Sequence, residues 1–374
     1  MPRTSPEIFL SAGEVSGDRL ASELILQLKK NGFQHFYGVT GEFMRRLGVK
    51  TLIPQEKFRV MGLFQVLLKA CSIYQIEQQL IHHIQKKRPD LVILIDFPGL
   101  HLRLAKQCRD LNIPVFQYVS PKVWAWGKKR IRNLENDYLK VLGVLPFEID
   151  FFQNTRVPYI FVGSPHLKRI DDNETQHSPN TITSPCLAIL LGSRRDEITR
   201  MLPIVHNTLK YLLSHIPDLR ITIPIAANEF ENDIKKGLQE YPQITFFNGQ
   251  SLGVMKNAHA ALVNSGTATL ECALVGTPMV VCYRMDRLTH WVASKFIQVK
   301  WASLVNLILQ KTAVPEFIQN FSNKELAYTL QQLLNPESSE AQAQIKSFIE
   351  LRKRLSPPTS GDAATIITDF LQRH

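Results

Sequence analysis

The sequence has no run approaching the ~20 consecutive apolar residues of a membrane-spanning helix. Its N-terminal stretch, MPRTSPEIFLSAGE, carries no apolar core of a secretory leader, so a cytoplasmic protein is expected. Cysteine is sparse: five residues (Cys71, Cys108, Cys186, Cys272, Cys282), an odd number with no CxxC pair. That argues against thiol redox chemistry and zinc, and Cys272 and Cys282, set in apolar runs, read as small core residues in a reducing compartment. No HExxH or comparable histidine set is present, and no DxD sits at a strand end, so no metal is expected. GxGxxG is missing as well, which argues against a dinucleotide dehydrogenase, and no cofactor is expected. Internal repeats and low-complexity tracts are absent.

What remains is an ordinary globular composition, 44% hydrophobic and 21% charged over 374 residues. That length exceeds what one hydrophobic core usually serves, so two domains are expected. The net charge of +11 suggests a polyanionic partner: nucleic acid, an anionic membrane surface or a phosphorylated substrate.

Two series of alternating strands and helices follow. The first opens with an apolar run at 7–12 and a helix over 18–30, with Leu20, Leu24 and Leu28 at helical spacing. Leu91 to Phe97 (LVILIDF) is a continuous apolar run, as suits a parallel strand buried on both faces. Further strands are expected at 113–119, 138–145 and 159–162. The polar stretch DDNETQHSPNTITSP, within 169–185, reads as a linker. A second series runs through strands at 187–191, 220–226, 245–247, 260–263 and 279–283, with helices over 196–215 and 267–275. The expected organisation is α/β: a Rossmann-like domain over 1–168, a second over 186–340, and a helical C-terminal segment over 341–374 that packs on either domain.

The strongest local pattern is AALVNSGTATLECALVGTPMVV, residues 260–281. A buried strand enters Asn264-Ser265-Gly266 and a helix starts near Thr267, whose free N–H groups and positive dipole end suit phosphate oxygens. Glu271, one turn on, is placed to accept from ribose hydroxyls. An ordinary strand-to-helix turn with a serine cap has the same sequence. A second such turn, Gly192-Ser193-Arg194, puts a guanidinium where a diphosphate would receive it. Two turns of this kind in one domain suggest a nucleoside diphosphate held between them.

In the first domain, Ser11 to Asp18 (SAGEVSGD) is a strand-to-helix turn with two carboxylates, Glu14 and Asp18. Asp96 ends the most apolar strand, where open α/β sheets bind ligands. A carboxylate buried there has a raised pKa, useful for a general base. Trp124 and Trp126, among Lys122, Lys128, Lys129 and Arg130, suit an anionic or sugar-bearing site, a nucleic-acid patch or plain core packing. The segment 58–76 (FRVMGLFQVLLKACSIYQI) reads either as a core helix or as an interfacial element entering a membrane.

Together these segments resemble the lipid-A-disaccharide synthases, glycosyltransferases of the two-Rossmann-domain (GT-B) type. The matching stretches are SAGEVSGD (11–18), RVMGLFQVL (59–67), LIDFPG (94–99), VSPKVWAWGKKRI (119–131), LLGSRRDEI (190–198), NSGTATLECAL (264–274), GTPMVVCYRM (276–285) and SLVNLI (303–308). They span nearly the whole chain in family order. The pattern departs at Leu191, Lys122, Ser164 and Val305, where the family has proline, serine, histidine and proline, which marks a divergent member.

The resemblance implies two domains facing across a cleft. It implies transfer from a UDP-linked 2,3-diacylglucosamine donor to a 2,3-diacylglucosamine 1-phosphate acceptor, with inversion. UDP would be held by Gly192, Ser193, Arg194, Ser265, Gly266, Thr267 and Glu271, with Asn306 nearby. Asp96 would be the catalytic base, and Gly13, Glu14, Ser16, Asp18, Trp124 and Trp126 would line the acceptor side. Met61, Leu63, Phe64, Val66 and Leu67 would contact an anionic membrane surface, the inner membrane of a Gram-negative-type bacterium. A homodimer exchanging C-terminal segments is left open. The competing readings are another UDP-sugar enzyme of this fold, such as an epimerase or a transferase for a different lipid, and a catalytically silent nucleotide- or lipid-binding paralogue. Nucleic-acid binding ranks last, since the basic residues are scattered without a recognisable module.

Overall fold

The structure, a computed structural model, describes residues 5–58, 70–124, 130–174, 184–226, 228–285, 300–356 and 361–373. The chain divides into two compact units: Met1–Pro165 with Pro357–His374, and His166–Ser356.

Unit 1 is built on a seven-stranded parallel sheet in the order β3-β2-β1-β4-β5-β6-β7. Its strands are β1 (Glu7–Ala12), β2 (His35–Thr40), β3 (Lys50–Pro54), β4 (Leu91–Ile95), β5 (Val115–Tyr118), β6 (Lys140–Gly143) and β7 (Tyr159–Phe161). Successive side chains on a strand point to opposite faces, and here both faces are covered. Phe9, Val92 and Leu94 pack under the helices Ala70–Lys87 and Pro98–Asp110. Ile8, Leu10, Ile93 and Ile95 pack on the other face against the helices Val15–Lys30 and Ala363–Arg373.

Unit 2 has a six-stranded parallel sheet in the order β10-β9-β8-β11-β12-β13. Its strands are β8 (Cys186–Leu190), β9 (Arg220–Ile225), β10 (Ile244–Asn248), β11 (Ala260–Asn264), β12 (Met279–Tyr283) and β13 (Glu316–Ile318). Both units are therefore doubly wound, as the alternating pattern predicts.

The segment 341–374 is shared between the units. The helix Ser339–Leu355 buries Phe348, Leu351 and Leu355 in unit 2. The helix Ala363–Arg373 returns to unit 1, where Phe370 meets Phe116 at 5.1 Å and Thr368 accepts from Asn31 at 2.9 Å. Part of the expected linker is helical, over Pro165–Glu174, and 175–183 lie outside the described residues. Cys108, Cys186, Cys272 and Cys282 are buried and free, as small core residues should be.

Strand order fixes where ligands can approach. In each sheet the chain turns outward in opposite directions from a central pair, β1/β4 and β8/β11, leaving a crevice at their carboxyl ends. Register places Ala12 beside Ile95 and Leu190 beside Val263. The SAGEVSGD turn and Asp96 thus leave unit 1 side by side, and the two glycine turns do the same in unit 2.

Asp18 shows that a carboxylate at such an end need not face a ligand. Only 1% exposed, it accepts the backbone N–H groups of Gly41 (2.9 Å), Phe43 (2.8 Å) and Met44 (3.2 Å). It caps the helix Glu42–Arg46 from a distant segment, a corrected assignment for a residue expected on the acceptor side. Asp18→Ala should therefore destabilise unit 1 by about 3 kcal/mol, because it strands buried donors. Urea denaturation would show it; an unchanged midpoint would contradict the capping role.

Candidate active site

In unit 1, Asp96 and Phe97 both adopt left-handed backbone, with φ of 51° and 57°. Such residues are held at about 1–3 kcal/mol each and need support from their surroundings. His101, on the following helix, supplies it. Its Nδ1 meets the Asp96 carbonyl oxygen and its Nε2 lies 2.9 Å from Ser11 Oγ. The ring is wholly buried, and burial pushes its pKa down to about 3, so it is neutral. A carbonyl only accepts, so Nδ1 carries the proton and Nε2 accepts from the Ser11 hydroxyl.

Gly13 completes the support. A Cβ there would meet the Phe97 ring at 2.2 Å, so only glycine leaves room for that ring. Asp96 itself is half-buried, not fully buried as the strand pattern implies. Its Oδ1 accepts from the Phe97 N–H at 3.0 Å. Oδ2 has no protein partner among the described residues. Glu14 and Ser16 are exposed beside this turn.

Trp124 is partly buried, and its indole N–H donates to Glu148 Oε1 at 2.8 Å. Glu148 is 1% exposed, and burial pushes its pKa up to about 8 against the pull of Trp124, Tyr159, Lys122 and Ser120. Trp126 and the residues expected at a membrane surface, Met61, Leu63, Phe64, Val66 and Leu67, lie outside the described residues.

In unit 2, Gly192 has φ of 108°, and a Cβ there would lie 2.5 Å from Glu197 Oε2 and 2.6 Å from Asn264 Nδ2. The two turns therefore touch. Asn264 is 4% exposed and its amide nitrogen has no hydrogen-bond partner among the described residues, an unusual state for a buried donor. Ser193, Arg194, Gly266 and Thr267 are exposed. Among the described residues no side chain caps the helix Thr267–Leu274, so its first N–H groups are open to an anion. Glu197 Oε2 accepts from Ser193 N (3.0 Å) and Arg194 N (3.3 Å). A carboxylate thus already uses this turn's donors, which is direct evidence that they favour negative charge.

Two expected donor residues are braced from behind. Asn306 is fully buried: its amide donates to Val314 O (2.9 Å) and Glu316 Oε1 (2.8 Å), and its oxygen accepts from Ala313 and Val314. Both its amide hydrogens and its oxygen are engaged within the unit. It holds Glu316, which accepts from the Ala302 and Ser303 N–H groups, while the Ala302 carbonyl receives Ser265 Oγ. Glu271 is bound to Arg169 and lies 3.4 Å from His166 Nδ1. Burial pushes its pKa up, but His166 and Arg169 outweigh that and the net shift is downward.

Sequence reasoning missed His101, Glu148, His166 and Arg169, because each takes its role from a partner in another segment, and it missed Glu197 although its partners are local. Glu197 alone left a local trace, three positions after Arg194, as a capping box requires. A lowered carboxylate pKa contributes stability above the unfolded value near 4.5, and that stability fades as pH falls through the folded value. Arg169→Leu should therefore lower unit 2 stability by about 3 kcal/mol at pH 7, with a smaller difference at pH 4. Equal losses at both pH values would show that Arg169 acts by packing alone.

A family model described as lipid-A-disaccharide synthetase matches residues 8–367. Lipid-A-disaccharide synthase 1 of Legionella pneumophila (strain Paris) is 35% identical over 365 residues, covering 95% of this chain and 94% of that protein. The lipid-A-disaccharide synthase of Nitrosococcus oceani is 33% identical, covering 100% of this chain and 98% of that protein. Among solved structures, the glycotransferase of kitacinnamycin aligns with a TM-score of 0.63 at 15% identity, covering 100% and 99% of the two chains. The UDP-GlcNAc 2-epimerase from Neisseria meningitidis aligns at 0.58 and 15%, covering 98% and 99%. Those two share the fold, that of GT-B enzymes. Length, motif order and sequence identity agree: the chain belongs to the lipid-A-disaccharide synthetase family, glycosyltransferases that build the lipid A disaccharide from a UDP-sugar donor and a glucosamine-derived acceptor.

Proposed function

We propose that the chain condenses UDP-2,3-diacylglucosamine with 2,3-diacylglucosamine 1-phosphate, giving a β-1,6 disaccharide 1-phosphate and UDP. Asp96 takes the proton of the acceptor's 6-hydroxyl. That oxygen attacks the anomeric carbon as the bond to the diphosphate breaks, inverting the centre in one displacement. UDP carries away the bonding electrons, and the proton on Asp96 passes to solvent. Positioning, one base and donors for the leaving charge are all the protein needs to supply.

The observation that carries this reading is the backbone at Asp96 and Phe97, two left-handed residues pinned by His101. They leave one Asp96 carboxylate oxygen without a protein partner among the described residues. On the donor side, support comes from the unpartnered Asn264 amide beside the Gly192 turn. It is a buried donor waiting for an acceptor, as a diphosphate would provide. Ser265, Gly266 and Thr267 would add donors, Arg194 would swing onto the phosphates, and Glu271 would meet the ribose. Glu14, Ser16 and Trp124 would meet the acceptor.

The net charge of +11 and the apolar segment at 58–76 support a peripheral seat on an anionic inner-membrane surface, which the acylated substrates would share. Among the described residues no helix is long and apolar enough to cross a membrane.

Asp96→Asn keeps the shape and removes the base. It should lower kcat by about 10³-fold while UDP affinity, measured by calorimetry, stays within about twofold. Loss of UDP binding in that variant would remove Asp96 from the role of base.

A further inference from the structure

Glu148 is only 1% exposed, as deeply buried as Asp18, and the proposed reaction does not use it. It opens the helix Glu148–Phe152, after the carboxyl end of β6. Oε1 accepts from Trp124 Nε1 at 2.8 Å, and Oε2 lies 3.1 Å from Tyr159 Oη. Tyr159 Oη also lies 3.0 Å from the Leu145 carbonyl oxygen. A phenol has one proton and a carbonyl only accepts. Both Tyr159 contacts are hydrogen bonds at once only when Glu148 carries a proton and donates it to Tyr159. The donors then run in order: Trp124 to Glu148, Glu148 to Tyr159, Tyr159 to Leu145.

We infer that Glu148 is a positioning residue, held as the neutral acid, whose proton completes the network that fixes Trp124 at the carboxyl end of the unit 1 sheet. Loss of that proton leaves a buried anion and breaks one Tyr159 contact, so the loop bearing Trp124 loosens. That loop leaves β5 next to Asp96, whose N–H donates to Tyr118 O at 3.1 Å. Of the titratable groups facing Glu148 among the described residues, Lys122 precedes Trp124 on the same loop and Tyr159 comes from β7. Lys122 favours the anion, and burial outweighs it. The consequence is alkaline sensitivity of acceptor binding, which rests on the reading of Trp124 as an acceptor contact.

Glu148→Gln keeps the whole network at every pH, since the amide accepts from Trp124 and donates to Tyr159. The full-length protein would be titrated by tryptophan emission and by acceptor KM from pH 6 to 10. Wild type should show one emission step near pH 8, missing from Trp124→Phe and from Glu148→Gln. Across that step the wild-type acceptor KM should rise about tenfold, as loss of one positioning hydrogen bond implies. Donor KM should hold steady, and Glu148→Gln should stay flat. An emission step that survives in Glu148→Gln overturns the inference. If Glu148→Gln removes the step while wild-type acceptor KM is level across it, the protonation network stands and Trp124 is no acceptor contact.

Discussion

A parallel sheet covered on both faces has no place for a charge except where its strands end. That constraint organises both halves of this protein. The strands β4 and β11 are buried along their whole length, so a carboxylate or an anion site can only follow their last residues. Strand order then decides which ends lie together: β1 with β4 in unit 1, β8 with β11 in unit 2. Asp96 and the Gly192 and Ser265 turns sit on these exits, and His101, Glu197 and Asn306 brace them.

The two exits solve different problems. Unit 1 presents a carboxylate, and does so with strained backbone at Asp96 and Phe97, a neutral buried histidine as clamp, and a glycine opposite the Phe97 ring. Unit 2 presents donors: open helix N–H groups and the Asn264 amide nitrogen, which has no partner among the described residues. Glu197 holds the amides of Ser193 and Arg194 through its own carboxylate. A carboxylate on one unit and open donors on the other are the groups that the proposed displacement at a sugar carbon calls for.

The sequence made much of this visible because parallel strands buried on both faces read as unbroken apolar runs. Leu91 to Ile95 and Ala260 to Val263 announce themselves, and so do the turns that follow them. The strands β2 and β3 were not legible: His35–Thr40 is interrupted by Gly38, and Lys50–Pro54 is an edge strand beginning with polar Lys50 and Thr51. At three residues, β13 (Glu316–Ile318) was too short to register. Within the site, a carboxylate near a helix start looks the same whether it meets a ligand or caps another helix, and Asp18 proves to be the second. For Asn306, placed near the donor by the resemblance, nothing local reveals that residues 313–316 engage its amide. Glu148 gave no signal, since its partners come from separate segments around 120–124, 145 and 159.

Membership of the lipid-A-disaccharide synthetase family fixes the type of product, and the geometry at Asp96 carries the claim about how it forms. The most direct measurement is the linkage and stoichiometry of the product made by the purified protein from the two acylated glucosamines, read by NMR and by UDP release. One UDP per disaccharide, joined through a β-1,6 bond inverted relative to the donor, is the expected result. UDP released without disaccharide, or a linkage that retains the donor's configuration, would contradict the account.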